Sequence, residues 1–452
     1  MIINSIIADI ATAVNEPYAR KVVQILFVVL SLITVILQVR KHKFQKADFF
    51  KNNTLIYAGF TLLLISSVFS ENTGIAGTAI FITVACFHFF RNVKLYQPNN
   101  IFYFIFLYAV LLLTGTVNTP EGFRFPEPTY TFYLLPLSLS LFTLNKKTLF
   151  RAGYLFFKVM LIYMFCCVIY FIYNFQYIDI SLTEWITQKS YFREIMPDWE
   201  KQDAYFFVNK WAGYSHPTFV SLVLFMGLIT GFYLFYKRDF VKTVTLSGLS
   251  LYIFLCLIMV LLMESRVGLI IFSSIFVFSL VYYSIVKRKY AVPLSLAAIF
   301  LSVSIFFIVD TKLTDDNLRS DYRKVAINYI KRNPYWGCGY HEQQSALDEQ
   351  IALDSVHVKK RLNCVHNQFL GDFVQYGVVG LAVLLTFFAG VLFYGIKWKS
   401  YPLQMFVLVV VLCMMIDEPF YVQVGITRVT IFLVFFTALT SKQRLREWKI
   451  LK

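Results

Sequence analysis

Apolar residues fill nearly the whole chain in runs of roughly 17–25, broken by short clusters rich in Lys, Arg, Asn and Pro. A run of that length, wound as a helix, crosses the ~30 Å hydrocarbon core of a bilayer. The pattern predicts spans at roughly 22–39, 54–69, 73–90, 101–117, 130–144, 155–175, 217–236, 241–263, 267–286, 290–309, 374–396, 402–416 and 426–440. Some are short enough to be tilted or re-entrant, so the expected fold class is an all-α polytopic membrane protein with 12–13 transmembrane helices. Before them, Ile3, Ile6, Ile7 and Ile10 follow the i, i+3, i+4, i+7 spacing of a short interfacial helix, the expectation here in place of a cleavable signal peptide.

The polar clusters orient the stack. Arg40-Lys41-His42-Lys43, Arg91 with Lys94, Lys146-Lys147 with Arg151, Lys237-Arg238, Lys287-Arg288-Lys289 and Lys397 with Lys399 all fall on one side. By the positive-inside rule that side is the cytoplasm. Lys442, Arg444, Arg446 and Lys449 in the C-terminal tail join it, while Arg20 and Lys21 fit this alternation poorly. The expected organisation is an N-terminal interfacial segment (1–21), N-terminal helices (22–175), an extracytoplasmic loop (176–216), central helices (217–309), a large extracytoplasmic loop (310–373), C-terminal helices (374–440) and a cytoplasmic tail (441–452). The large loop is far longer than a connector needs, and long ordered loops usually carry function. Within it, "RSDYRKVAINYIKRNP" reads as a short helix with Tyr322, Val325, Ala326 and Tyr329 on one stripe; Pro334 ends it, and "NPYWGCGY" is a turn with two glycines.

Composition agrees: 58% of residues are hydrophobic and 15% charged, against about 45–50% and about 25% in soluble domains. The net charge of +16 would suit nucleic acid, but the cations sit in short loops between apolar runs, where membrane lipids are their partners, so a nucleic-acid partner is excluded.

Candidate chemistry gathers on the outward side. Arg266, in "MESRVGLIIF", stands at a helix mouth; Arg319 and Arg323 lie in the large loop; Lys210 precedes "WAGYSHPTF". Each could simply snorkel to headgroups, and Glu264 could pair with Arg266. Alternatively they form a clamp for phosphate, whose oxygens match the planar fork of an arginine. His366 lies where the large loop re-enters the membrane, and a helical reading puts it on one face with Phe369, Leu370 and Phe373, turned toward the bundle. It is either a histidine bonded inside that bundle or a base for a hydroxyl proton, with Asn367 and Gln368 beside it to orient a sugar. Gly377 and Gly380 suit close approach of a neighbouring helix. The acidic pairs Asp315-Asp316 and Asp417-Glu418 lack metal-site context, Ser215-His216 lacks a triad acid, His341 and His357 read as loop surface, and no zinc spacing appears among the cysteines, so no metal or cofactor is expected. Cys86, Cys166, Cys167, Cys256 and Cys413 lie in apolar runs; Cys338 and Cys364 lie in the large loop. They are either unrelated thiols or a disulfide closing a loop of roughly 27 residues, worth about 3–3.5 kcal/mol.

Four segments, in order, carry a family likeness: "WAGYSHPTFVSLVL", "ESRVGLIIF", "LRSDYRKVAINYIKRNPYWGCGY" and "VHNQFLGDFVQYGVVGL". They resemble the O-antigen ligase and polymerase family of integral-membrane glycosyltransferases across about residues 200–440. The family pattern is a basic residue ahead of Gly-x-x-x-(His/Asn)-Pro, Ser-Arg at an outer helix end, an Arg-led helix ending in Asn-Pro-x-x-Gly-x-Gly, then His-Asn-x-x-Leu with a later Gly-x-x-Gly. The resemblance implies a polyprenyl-diphosphate-linked glycan as donor and a sugar hydroxyl as acceptor, on a lipid A core for a ligase or on another lipid-linked glycan for a polymerase. It implies inversion without metal or nucleotide sugar, at the periplasmic face of the bacterial inner membrane. Carried onto this chain, His366 would be the base, Arg266 and Arg319 would hold the donor with Lys210, which stands where many members have Arg, and Asn367, Gly337 and Gly339 would position substrate. A transporter for the same lipid is the alternative from another class, and a scaffold the third; mid-span charges, which a transport path needs, are scarce.

Overall fold

The structure, a computed structural model, describes residues 16–41, 54–68, 71–91, 130–140, 146–175, 217–237, 244–263, 266–287, 317–339, 342–354, 365–421 and 423–440. These residues form thirteen helices and no strand: α1 (Glu16–Lys41), α2 (Thr54–Ser66), α3 (Glu71–Arg91), α4 (Tyr130–Ser140), α5 (Lys146–Phe175), α6 (Pro217–Tyr236), α7 (Leu246–Leu262), α8 (Arg266–Lys287), α9 (Asn317–Arg332), α10 (Gln343–Asp354), α11 (Gln368–Lys397), α12 (Tyr401–Met414) and α13 (Gln423–Thr440). The expected spans at 101–117 and 290–309, the loop at 176–216 with Lys210, and the tail at 441–452 lie outside the described residues. Helices α5, α6 and α11 are long and apolar enough to cross a membrane, with shorter apolar helices beside them. Val22, Ile25, Leu32 and Ile36 of α1 are exposed, as lipid-facing side chains must be when no water surrounds them. The chain is an all-α polytopic membrane protein.

Helix α6 is central. It is apolar on all sides and buried from Thr218 to Leu234, packed by α5, α7, α8, α12 and α13. Lipid tails are as apolar as these side chains, so association rests on close packing and on bonds between helices rather than on the hydrophobic effect. Gly227 and Gly231 supply a notch. A Cβ at the first would overlap the Tyr252 hydroxyl of α7, and one at the second the Phe157 ring of α5. The two rings stack with centroids 4.8 Å apart, and Tyr252 donates to the Leu224 carbonyl at 2.8 Å.

Tyrosines mark one end of the bundle. Tyr236, closing α6, donates to the Ser279 carbonyl at 3.0 Å, the Ser279 and Tyr401 hydroxyls bond at 2.6 Å, and the Tyr282 and Tyr401 rings lie 5.0 Å apart. Lys237, Lys287, Lys397 and Lys399 follow or flank these helix ends. At 1.5 Å per residue, Pro217 on α6, Arg266 on α8 and Met414 on α12 then stand roughly 20–30 Å away. The entries to α6 and α8, the exit from α12 and the start of α11 therefore share the opposite end.

A second, smaller core caps that end. Tyr322, Val325 and Ala326 of α9, Leu347 of α10, Val365 and Val374 are buried together, with Tyr329 packed against them. The stripe predicted within the loop is thus its buried face. Helix α10, which periodicity had not marked, closes over α9: Asp354 accepts from Arg332 at 3.0 Å and from Asn328 at 3.0 Å, and hydrogen bonds from Gln350 and Asn328, with the Arg332 charge, hold its carboxyl below the usual carboxylate range.

Candidate active site

The start of α11 and the α12–α13 turn grip each other through polar atoms. Asn367 caps α11: its side chain accepts from Leu370 N at 3.1 Å and donates to the Met415 carbonyl at 3.0 Å. Gln368 N donates to the Asp417 carbonyl at 3.2 Å, and the Gln368 side chain accepts from Phe420 N at 2.8 Å while donating to Asp372 at 2.6 Å. Asp417 in turn accepts from Glu418 N at 2.9 Å. This clamp fixes His366. The residue lies just before the N-cap with φ 54°, in the left-handed region. It is therefore not on a helical face with Phe369, Leu370 and Phe373, as the sequence had suggested, because the helix has not begun. Its Nδ1 is buried 3.6 Å from Asp417 Oδ1, and the side chain keeps 19% of its surface exposed.

Glu418 lies beneath this pair. It is 2% exposed, and its carboxyl fills the space a Cβ at Gly371 would need. Gln343 of α10 donates to it at 3.2 Å and accepts from Gln375 of α11 at 3.0 Å, which ties the cap helix to the clamp. Burial pushes the Glu418 carboxyl up to about 8; Asp372 and Asp417 add to the rise, and the bond from Gln343 opposes it. The group is mainly neutral at pH 7.

Beyond this first segment α11 breaks at Gly377, whose φ 66° and ψ −160° are open only to glycine. The turn after α9 fills the break: Cys338 N donates to the Val374 carbonyl at 2.9 Å, Gly339 N to the Gln375 carbonyl at 2.8 Å, and Val378 N to the Pro334 carbonyl at 3.0 Å. Gly337 and Gly377 let the two backbones touch, since a Cβ on either would collide with main-chain atoms of the other strand of chain. The role read for Gly377 is corrected here: it admits a loop rather than a neighbouring helix, and a Cβ at Gly380 would strike Tyr376 of its own bent helix. Cys338 is a free thiol, pushed up to about 12 by burial and hydrogen-bonded with Tyr329; Cys364 lies outside the described residues.

Of the other residues singled out from sequence, Arg266 opens α8 at the same end of the bundle and Arg319 lies in the first turn of α9. Lys210 precedes the entry to α6, outside the described residues. Asp417 and Glu418 were passed over because no metal pattern surrounds them, and among the described residues no cluster of metal-binding groups exists. The available signal was different: two carboxyls between apolar runs, at a helix end, need partners.

The molecule is thus a helical membrane protein with His366 held against a carboxylate at the end of the bundle opposite the tyrosine cluster. Residues 251–385 match the family model described as O-antigen ligase. The matched stretch runs from α7 into α11, taking in Arg266, Arg319, the Gly337–Gly339 turn and His366 but not Asp417 or Glu418. No curated protein matches the chain.

Proposed function

We propose that this protein transfers a glycan from a polyprenyl-diphosphate carrier to an acceptor hydroxyl at the periplasmic face of the bacterial inner membrane, as an O-antigen ligase does with a lipid A core. The observation that carries the reading is the His366–Asp417 contact of 3.6 Å inside and beside the family-matched stretch. A carboxylate at Nδ1 favours the tautomer protonated there, so that Nε2 accepts. A gap slightly beyond hydrogen-bond length is usual before substrate tightens a site. His366 Nε2 removes the hydroxyl proton as that oxygen attacks the anomeric carbon. The bond from that carbon to the diphosphate oxygen breaks with inversion, and the electron pair leaves on the carrier. Arg266, Arg319 and Lys210 supply fixed positive charge for the leaving diphosphate. Glu418, whose carboxyl burial holds toward the neutral form, adds little charge beside His366 and so does not repel an anionic donor.

Transport of the same lipid is less well supported. The buried hydroxyls of Thr230, Ser279 and Thr430 are bonded to carbonyls of their own helices, at Met226, Ile275 and Ile426, which leaves them poor material for a polar path. The test is purified protein in nanodiscs given a polyprenyl-diphosphate glycan and, separately, a lipid A core acceptor, a second lipid-linked glycan or no acceptor. A single glycan on lipid A core is expected. Longer lipid-linked chains would make it a polymerase, and carrier movement across vesicles without new glycosidic bonds would make it a transporter.

A further inference from the structure

Two adjacent aromatics carry no part of the proposed chemistry. Tyr335 and Trp336 are 68% and 77% exposed, the highest values among the exposed large hydrophobic residues described. They belong to the turn locked into the α11 break, so they cannot fold back: its three main-chain bonds run to α11 on either side of Gly377. The bond from Val378 N to the Pro334 carbonyl sets their height. Val378 and Val379, 44% and 47% exposed, begin the outward stripe of α11 that continues through Leu385, Phe393 and Ile396. At 100° per residue these positions share one side of the helix, opposite the buried Leu384, Phe387 and Val391. That stripe is the lipid-facing side of a spanning helix, and the aromatic pair stands at its upper margin. Exposed Lys331 lies in the last turn of α9, just ahead of the pair.

We propose that the Pro334–Cys338 turn is a bilayer anchor, with Tyr335 and Trp336 seated in the headgroup zone of the outer leaflet. Tryptophan and tyrosine favour that zone because each has an apolar body and a polar tip. The turn is fixed to the segment of α11 that follows His366 and its N-cap, so the anchor also sets the depth of the candidate site relative to lipid. A base held at headgroup depth meets a diphosphate whose tail stays in the membrane.

The test compares wild type with Trp336→Phe in nanodiscs containing lipids brominated near the headgroup end or near the methyl end of the acyl chain. The difference in tryptophan emission isolates Trp336 without altering an apolar, exposed position enough to disturb folding. The Trp336 component is expected to lose about half its intensity with bromine near the headgroup end, less with bromine near the methyl end, and little with aqueous iodide. A component quenched by iodide and indifferent to both lipids would overturn the proposal, leaving the pair as a water-facing surface for glycan. Indifference to all three quenchers, with a doubled particle mass, would overturn it in favour of a contact between two copies. Neither result depends on transferase activity.

Discussion

In the spanning helices, buried threonines turn back on their own backbone, and the cross-links are made by tyrosines such as Tyr252 and Tyr236. Thr230 donates to Met226 at 2.7 Å and Thr430 to Ile426 at 2.7 Å, each within one turn. At the capped end polar side chains reach across the chain instead: Gln343 to Glu418, Gln375 to Gln343, Asn367 to Met415 and Phe420 to Gln368 join segments 32 to 75 residues apart. A serine or threonine hydroxyl in the bundle gains little from a cross-link, because it can find a carbonyl in its own helix. The cap holds three carboxyls and four glutamines out of water, and each buried polar group there costs stability unless another element supplies its partner. The cap can therefore hold side chains from distant segments against one another, while the bundle fixes the end at which they emerge.

Substitutions can break this contrast. The largest effect is expected at His366: His366→Ala should lower transfer by about 10²–10⁴-fold, the usual share of a general base, with unchanged elution and melting in nanodiscs. Transfer at the wild-type rate would remove His366 from the chemistry. Next is Gly377→Ala. The added methyl would overlap the Tyr335 carbonyl at a backbone conformation closed to alanine, so a loss of about 2–5 kcal/mol is expected. Thermal melting should show it as early unfolding of the cap, and a melt equal to wild type would mean the loop is not seated in the helix break.

Glu418→Gln addresses the same end more gently. A carboxyl whose folded value is raised stabilises the fold fully below its unfolded range near 4.5 and loses that contribution as pH rises through about 8. Wild-type stability should therefore fall between those limits, and Glu418→Gln should flatten the slope while changing stability at pH 6 by no more than about 1 kcal/mol. An unchanged slope would put the titration elsewhere. Thr230→Val, which removes a bond within one helix of the bundle, should cost less than about 1 kcal/mol in the same melts. A cost equal to that of a cap substitution would erase the contrast.

What could be read from sequence follows the same division. The spans at 217–236 and 267–286 coincide with α6 and α8 nearly residue for residue, because hydropathy reports the solvent around a helix and little else competes. The buried stripe of α9 was legible by its period for a similar reason. The cap was only half legible. His366 stood out by type and place, but its left-handed backbone is imposed by the 415–421 turn some fifty residues away, and no local pattern encodes that contact. The break at Gly377 was hidden for a related reason: an apolar run with two glycines reads as one helix until another backbone is known to need the space. Helix α10, with Gln and Ala on its buried side, gave too little apolar contrast to announce itself.

The central claim, that Asp417 acts on transfer through His366, is tested most directly by a double-mutant cycle. Initial transfer rates would be taken for wild type, His366→Ala, Asp417→Asn and the double variant, all in nanodiscs with one donor and one acceptor. Asp417→Asn alone should cost about 10–100-fold, the range for a group that orients another, and should cost nothing further once His366 is alanine. Full additivity of the two losses would contradict the account, since it would mean that the carboxylate and the imidazole serve the reaction separately.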